Sequence, residues 1–208
     1  GSLGVYGFRN RVDHSYDRLA VVDSRSVRAH TIWDQVALEG KRSTIIGVPP
    51  NYPPREVNGI SVGCFLTPDT ARNVYTHPAE VGREIERLVG SYPVDVKGFR
   101  TTDKARLLND IHDMSRRHFE VVRHFLRRDD WDYFQFVEIG LDRIQHGFWK
   151  HHDPEHVLHE PDSPYRDVIR DYYRYLDEEV GSLLELLTED TVVLVTATMA
   201  DAREGVDF

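Results

Sequence analysis

The sequence predicts an α/β fold, with a mostly parallel sheet covered by helices. Four short runs are rich in apolar and β-branched residues, and two long stretches place apolar residues at helical spacing. Helical and strand-like segments also alternate from residue 103 onward, which is typical of parallel sheets. At 208 residues, with 40% hydrophobic and 29% charged, the chain has the composition of one globular domain.

The predicted strands are short runs bounded by turn residues. Residues 43–48 precede two prolines, and residues 60–66 follow an Asn-Gly turn. Residues 131–139 are aromatic and branched, and residues 191–197 form the most hydrophobic run of the chain. The last two therefore predict buried central strands.

Helices are predicted before and between these strands. Residues 29–38 and 78–89 are short candidates, each followed by a glycine that would end the helix. Residues 103–127 and 163–187 predict longer helices whose apolar side chains fall on one stripe. Such a stripe indicates core packing rather than a ligand site.

Residues 49–101 differ from the rest in composition. They hold most of the ten prolines, several glycines and only weak periodicity. This composition predicts a cap-like insert that lies outside the regular sheet, over whatever cleft the sheet forms. Residues 1–48 and 102–208 would then make up the core.

The charge and the cysteine content narrow the partners and the compartment. Lys and Arg number 26 against 35 Asp and Glu, a net charge of −9. This argues against a nucleic-acid backbone or an anionic membrane as the main partner, but allows a small anionic substrate. The longest apolar run, residues 192–195, is too short to cross a bilayer. The single cysteine, Cys64, fits a reducing compartment, so we expect a cytoplasmic protein.

The sharpest local feature directly follows the predicted strand at residues 131–139. Asp142 and His146 are four positions apart, so on a helix their side chains project to the same side. Open α/β sheets bind ligands at the carboxyl ends of such strands. A carboxylate and an imidazole are half of a zinc shell. Alternatively, Asp142 caps a helix and His146 bonds locally. The histidines between residues 151 and 159 lie near prolines and predict a solvated loop.

Other short motifs occur in order along the chain: Gly4-Val5-Tyr6-Gly7-Phe8-Arg9-Asn10-Arg11, Gly47-Val48-Pro49, Tyr52-Pro53-Pro54, Val57-Asn58-Gly59 and Gly63-Cys64-Phe65-Leu66-Thr67-Pro68. Together with residues 133–156, 172–177 and 191–195, they resemble the type I phosphodiesterase/nucleotide pyrophosphatase branch of the alkaline phosphatase superfamily. The resemblance runs from about Leu3 to Leu194.

The resemblance implies a metal-dependent hydrolase of phosphodiesters or nucleotide pyrophosphates with an alkaline-phosphatase-like core. In such an enzyme a Thr or Ser attacks phosphorus, one metal ion activates that nucleophile, and a second stabilises the leaving oxygen. The family's Asp-x-x-x-His would make Asp142 and His146 two ligands of one zinc ion. The substrate would be a small phosphorylated molecule, with Arg9 and Asn10 as candidates to contact its phosphate; a surface turn is the alternative for these two. Arg143 would either pair with a phosphate or form a salt bridge.

The chain departs from the family pattern in ways that predict little or no turnover. The family's nucleophile and one metal-binding Asp lie upstream of the motif at residues 4–8, so we expect neither here. Thr198, Met199 and Ala200 stand where the family has Asp-His-Gly, and Thr and Met cannot replace a carboxylate and an imidazole on zinc. A final histidine ligand is expected beyond Phe208. Of the expected nucleophile and ligands, only Asp142 and His146 are found.

Two further interpretations stay open. The chain would be a non-catalytic domain that keeps the phosphodiesterase fold to bind a ligand or a partner, or a member of the phosphoglycerate-mutase-like or sulfatase-like branches of the superfamily. If a central strand is missing, the apolar surface that this leaves would favour a homodimer.

Overall fold

The computed structural model describes residues 4–5, 7–15, 17–128 and 130–197. These residues divide into two compact units. The first comprises the chain up to Val94 together with Arg128–Val137, and the second comprises Asp95–Arg127 together with the chain from Glu138 onward. Each unit is described by itself.

The first unit begins with short elements. Strands β1 (Arg9–Arg11) and β2 (Leu19–Val21) pair antiparallel, and a single 3-10 turn follows at Ser24–Ser26. Helix α1 covers Ile32–Leu38. It begins three residues later than predicted because Thr31 caps it: the Thr31 hydroxyl accepts from the Asp34 amide at 3.3 Å, and the Asp34 carboxylate accepts from the Thr31 amide at 2.8 Å.

The main sheet of the first unit has four strands. They are β3 (Ser43–Ile46), β4 (Gly59–Val62), β5 (Thr76–His77) and β6 (Tyr133–Phe136), in the order β5-β4-β3-β6. Strand β3 is parallel to both β4 and β6, whereas β5 is antiparallel to β4. The predicted α/β fold with a mostly parallel sheet is therefore confirmed.

The centre of the sheet is not where the sequence predicted it. Every residue of β3 is buried, while β6 is half-buried and, among the described residues, pairs with β3 alone. Residues 131–139 therefore supply an edge strand, not a central one. Hydrophobicity marks a run as buried but does not say which neighbours the sheet will provide.

The prediction of a strand at residues 191–197 is wrong. These residues form no strand, and the side chains of Val192 and Leu194 are 86% and 85% exposed. A strand needs a partner for its backbone N–H and C=O groups, and the apolar run alone cannot supply one.

The predicted cap segment, residues 49–101, is partly inside the sheet. Strands β4 and β5 belong to it, and helix α2 (Glu80–Val89) follows, ending at Gly90 with φ of 74°. The expectation that this segment lies outside the regular sheet was therefore wrong for β4 and β5. The boundary between core and cap stays a prediction.

The second unit is helical over most of its length. Its elements are α3 (Lys104–Arg127), α4 (Gly140–His152) and α5 (Val168–Leu184). Buried side chains of these helices form one core cluster with Val96, which precedes α3: Leu107, Ile111, Met114, Ile144, Phe148, Ile169 and Tyr172. The predicted apolar stripe of α3 thus packs into a core. Within the described parts of both units, no helix has the length and apolar character that crossing a membrane requires.

Candidate functional site

Helix α4 carries the sequence's main candidates and is capped by the side chain of Glu138. One carboxylate oxygen of Glu138 accepts from the backbone N–H of Gly140 at 2.8 Å, and the other accepts from that of Leu141 at 3.0 Å. These two groups belong to the first turn, where a helix has N–H groups without intrahelical partners. A negative charge at this end also suits the helix dipole. The carboxylate therefore fixes where α4 begins.

The same carboxylate joins α4 to the other two helices. Glu138 Oε1 also accepts from the Ser115 hydroxyl of α3 at 2.7 Å and from the Tyr172 hydroxyl of α5 at 3.3 Å. The two hydroxyl oxygens lie 2.6 Å apart. Burial, together with the charge of Glu138, raises the pKa of Tyr172, so this phenol stays protonated and donates. Three helices thus meet at one hydrogen-bonded carboxylate.

Asp142 and His146 lie one turn apart on α4, with Asp142 Oδ1 at 3.6 Å from His146 Nε2. Both side chains are partly exposed. Two ligands of one tetrahedral zinc ion, with bond lengths near 2.1 Å, stand about 3.4 Å apart. The pair therefore has the separation that two ligands of a single metal ion require. Asp142 does not cap the helix, since Glu138 occupies that role.

Arg143 holds the second oxygen of Asp142. Its Nη1 donates to Asp142 Oδ2 at 2.6 Å, while Nε and Nη2 donate to the two oxygens of Asp95 at 2.7 Å each. The Phe99 ring lies against the guanidinium, 4.9 Å from its centre. Burial lowers the pKa of Arg143, but the hydrogen bonds and charges of Asp95 and Asp142 outweigh it and raise the pKa overall. Of the two predicted roles of Arg143, the salt bridge is the one that forms.

The predicted phosphate contacts lie in the first unit. Arg9 and Asn10 belong to β1, where Arg9 is exposed and Asn10 is half-buried. The Asn10 side-chain amide donates to the Gly4 carbonyl at 3.5 Å. Both lie in strand β1, which pairs with β2, and not in the surface turn of the alternative interpretation. Their contact with a substrate stays a prediction.

The histidine-rich stretch after α4 is tied into its own structure. His151 is buried, and its Nδ1 lies 2.9 Å from the Ser163 hydroxyl and 3.1 Å from a Glu160 oxygen. The Nδ1 of His159 lies 3.0 Å from the Lys150 carbonyl. Over residues 4–5, 7–15, 17–128 and 130–197, no group of three or more His, Cys, Asp or Glu side chains could hold a metal ion. Within that part of the chain the Asp142–His146 pair thus has no third such side chain beside it, and its role as a pair of metal ligands stays a prediction.

Sequence reasoning missed the residues that hold this pair in place. Glu138 had a local signal, because an acidic residue just before a predicted helix is a candidate cap. Asp95, Ser115 and Tyr172 had none, because they lie far from α4 in the sequence. Thr198, Met199 and Ala200, which the sequence resemblance sets where the family has Asp-His-Gly, lie outside the described residues.

The comparison with protein families assigns the chain. The model of the type I phosphodiesterase / nucleotide pyrophosphatase family matches residues 1–199, and the chain therefore belongs to that family. It is a family of hydrolases that act on small phosphorylated substrates and generally need metal ions. No curated protein and no solved structure matches the chain.

Proposed function

We propose that this chain carries part of the active site of a zinc-dependent hydrolase of phosphodiesters or nucleotide pyrophosphates. Asp142 and His146 are two ligands of one of its metal ions. The observation that carries the proposal is the 3.6 Å separation of Asp142 Oδ1 and His146 Nε2, on a helix whose start is anchored by Glu138. A bound zinc ion would supply Lewis-acid stabilisation of the charge on a phosphoryl oxygen.

The chain by itself has little or no turnover. Two protein ligands hold zinc weakly compared with the three or four of ordinary sites. Thr198 and Met199, in the positions of the family's Asp and His, are poor ligands for zinc. The residues that the chain does carry therefore orient a metal ion and its substrate more than they perform the reaction.

The substrate is a small phosphorylated molecule, and Arg9 and Asn10, within the first unit, stay candidates for contact with a phosphate. The proposal is supported by the polar and cationic chemistry of these two side chains, and by a net charge of −9, which disfavours polyanionic partners. A cytoplasmic location follows from the single cysteine and stays a prediction. Self-association through exposed apolar residues such as Val192 and Leu194 also stays a prediction, which light scattering tests.

A second candidate is a non-catalytic domain that keeps the fold to bind a ligand or partner. One observation in its favour is that the positive charge of Arg143, paired with Asp142 Oδ2, lies beside the carboxylate that would bind the metal ion. It is also favoured by the lack of a third metal ligand near the pair within the described residues.

Zinc titration of the metal-free chain tests the proposal, with the ring signals of His146 followed by NMR and the stoichiometry by calorimetry. We expect one weak site whose affinity falls about 10-fold or more in Asp142→Asn and in His146→Gln. Asp171→Asn, which changes an exposed carboxylate of α5, is the matched control and keeps the wild-type affinity. If zinc leaves the His146 signals unchanged, the non-catalytic candidate replaces the proposal.

Hydrolysis of a chromogenic phosphodiester in the zinc-loaded chain tests the low turnover separately. We expect no rate above that of zinc alone. Turnover that Asp142→Asn abolishes would contradict the inactive part of the proposal while supporting the metal site.

A further inference from the structure

We infer that Arg143, held by Asp95, is a positioning residue that leaves Asp142 a single oxygen for a metal ion. The inference rests on the proposed function, because it assigns Asp142 as a ligand. It adds two residues to the site: Arg143, which contacts that ligand, and Asp95, which acts through Arg143.

The guanidinium of Arg143 donates three hydrogen bonds, one from each of its nitrogen atoms, to two carboxylates. Nε and Nη2 form a bidentate pair with Asp95, both at 2.7 Å, and Nη1 reaches Asp142 Oδ2 at 2.6 Å. Bidentate pairing is the geometry that fixes the plane of a guanidinium rather than only its position. Because the plane is fixed by Asp95, the direction in which Nη1 meets Asp142 is fixed as well.

Asp95 is itself held to the backbone. Its Oδ1 accepts from the N–H of Val96 at 2.8 Å, and Val96 belongs to the core cluster of the second unit. The Phe99 ring packs against the guanidinium of Arg143, with the ring centroid 4.9 Å from the guanidinium carbon. The Arg143 side chain is only 11% exposed. Core packing thus sets the position of the guanidinium, and little solvent competes for its hydrogen bonds.

As a result, the two carboxylate oxygens of Asp142 face different groups. Oδ2 is taken by Arg143, and Oδ1 faces His146 Nε2 at 3.6 Å. A free carboxylate rotates and can bind a metal ion through one oxygen or both, whereas this one presents only Oδ1. Hydrogen bonds to the far oxygen of a ligating carboxylate are a usual way of orienting it.

The charges of the three side chains agree with a positioning role for Arg143. One guanidinium faces two carboxylates, so the group of Asp95, Arg143 and Asp142 keeps a net charge of −1 to offer a cation. Lysine would not replace Arg143, because an ammonium is a point charge without the planar fork that pairs with Asp95 and still reaches Asp142.

The experiment measures the side-chain torsion χ1 of Asp142 in the metal-free full chain, because Oδ2 can stay on Arg143 and Oδ1 toward His146 only while the side chain keeps one χ1 rotamer. Three-bond NMR couplings from Asp142 Cγ to its backbone nitrogen and carbonyl carbon report whether one rotamer or several are populated. We expect one rotamer in the wild type and averaged couplings in Asp95→Asn and Arg143→Lys. The matched control is Glu179→Gln, which weakens the partly buried ion pair of Arg123 and Glu179 in the same unit. It should leave the Asp142 couplings unchanged.

The outcomes separate this inference from the proposed function. Averaged couplings in the wild type, or a single unchanged rotamer in Asp95→Asn, overturn the positioning role whether or not zinc binds. Lack of a zinc effect on His146 in the wild type overturns the proposed function and, with it, the ligand role of Asp142. When the positioning role and the proposed function are both correct, Asp95→Asn lowers the zinc affinity about 10-fold or more, and Glu179→Gln does not. If Arg143→Lys fails to fold, the nearly isosteric Asp95→Asn and the wild-type couplings still decide the question.

Discussion

Gly140 lies so close to Tyr172 that a Cβ atom at Gly140 would stand 2.0 Å from the Tyr172 hydroxyl oxygen. The same atom would stand 2.5 Å from Ser115 Oγ and 2.6 Å from Glu138 Oε1. All three belong to the hydrogen-bonded cluster at the start of α4. The close approach of α4 to this cluster therefore depends on the lack of a side chain at one position.

We expect Gly140→Ala to destabilise the chain by about 1–3 kcal/mol, the usual cost of overpacking a filled site. Gly181→Ala on α5 is the matched control, because a Cβ there meets nothing within 4 Å. Since alanine is a better helix former than glycine, this control should stabilise by about 0.5–1 kcal/mol. Urea unfolding of both variants checks the pair. Similar effects of the two substitutions would contradict the packing that we describe.

Removing the charge of Glu138 should loosen the beginning of α4. In Glu138→Gln one carboxylate oxygen becomes an NH₂ group that faces N–H or O–H donors, so we expect a loss of about 1–2 kcal/mol in the free energy of unfolding. Hydrogen exchange at the amides of Gly140 and Leu141 should accelerate. The exposed Glu178→Gln on the same unit serves as the control, and unchanged exchange in Glu138→Gln would show that the cap is not needed.

The buried His151 should make the folded state sensitive to acid. Burial lowers its pKa, an effect that the charge of Glu160 opposes and those of Lys150 and Lys104 reinforce. Because the folded state holds the proton more weakly than the unfolded chain, this stabilising contribution is complete above the unfolded pKa, near 6.5. It is lost as the pH falls from there toward the lower folded value.

The measurement is the free energy of unfolding of the wild type and of His151→Gln between pH 8 and pH 5. The difference at pH 8, where the imidazole is neutral in both states, gives the packing cost of the substitution. We expect that difference to shrink as the pH falls, because only the wild type loses the histidine contribution. A difference that stays constant over this range would count against a buried neutral His151.

In the first unit, Asn51 should be important for the loop that follows β3. Its side-chain amide donates to Ser61 Oγ at 2.7 Å and to the Val62 carbonyl at 3.2 Å, and its carbonyl accepts from the Arg55 amide at 3.3 Å. Asn51→Ala leaves buried polar groups without these partners, so we expect a loss of about 1–3 kcal/mol. Asn73→Ala, at a more exposed Asn whose side chain donates to the Asp69 carbonyl, is the comparison in thermal unfolding. An equal loss in both would show that burial at Asn51 adds nothing.

Some of the site followed from sequence because it depends on local geometry. Asp142 and His146 share one side of α4 since four residues make about one helical turn, and the motif itself needs no other part of the chain. The α/β class followed in the same way, from segment lengths and from the alternation of helical and strand-like patterns. Periodicity carries such information because each residue's neighbours along the element are set by its number.

The strands show where that information ends. Residues 191–197 have the strongest strand pattern in the chain and yet form no strand, whereas the less hydrophobic β3 is fully buried between two parallel neighbours. Apolar and β-branched residues favour a pleated sheet surface that other parts of the protein cover. Whether a run obtains that surface depends on partners elsewhere in the chain.

The helical spacing of the two candidate ligands and the class of fold that carries them follow from the amino-acid sequence alone. The groups that hold those ligands come from tertiary packing, because the supporting contacts join residues that are distant in sequence. Asp95 and Arg143 are 48 positions apart, and Ser115 and Tyr172 are 57 apart. No local pattern encodes such pairs. They form because the packing of three helices around one core brings a guanidinium and two hydroxyl groups to carboxylates that would otherwise be free to rotate.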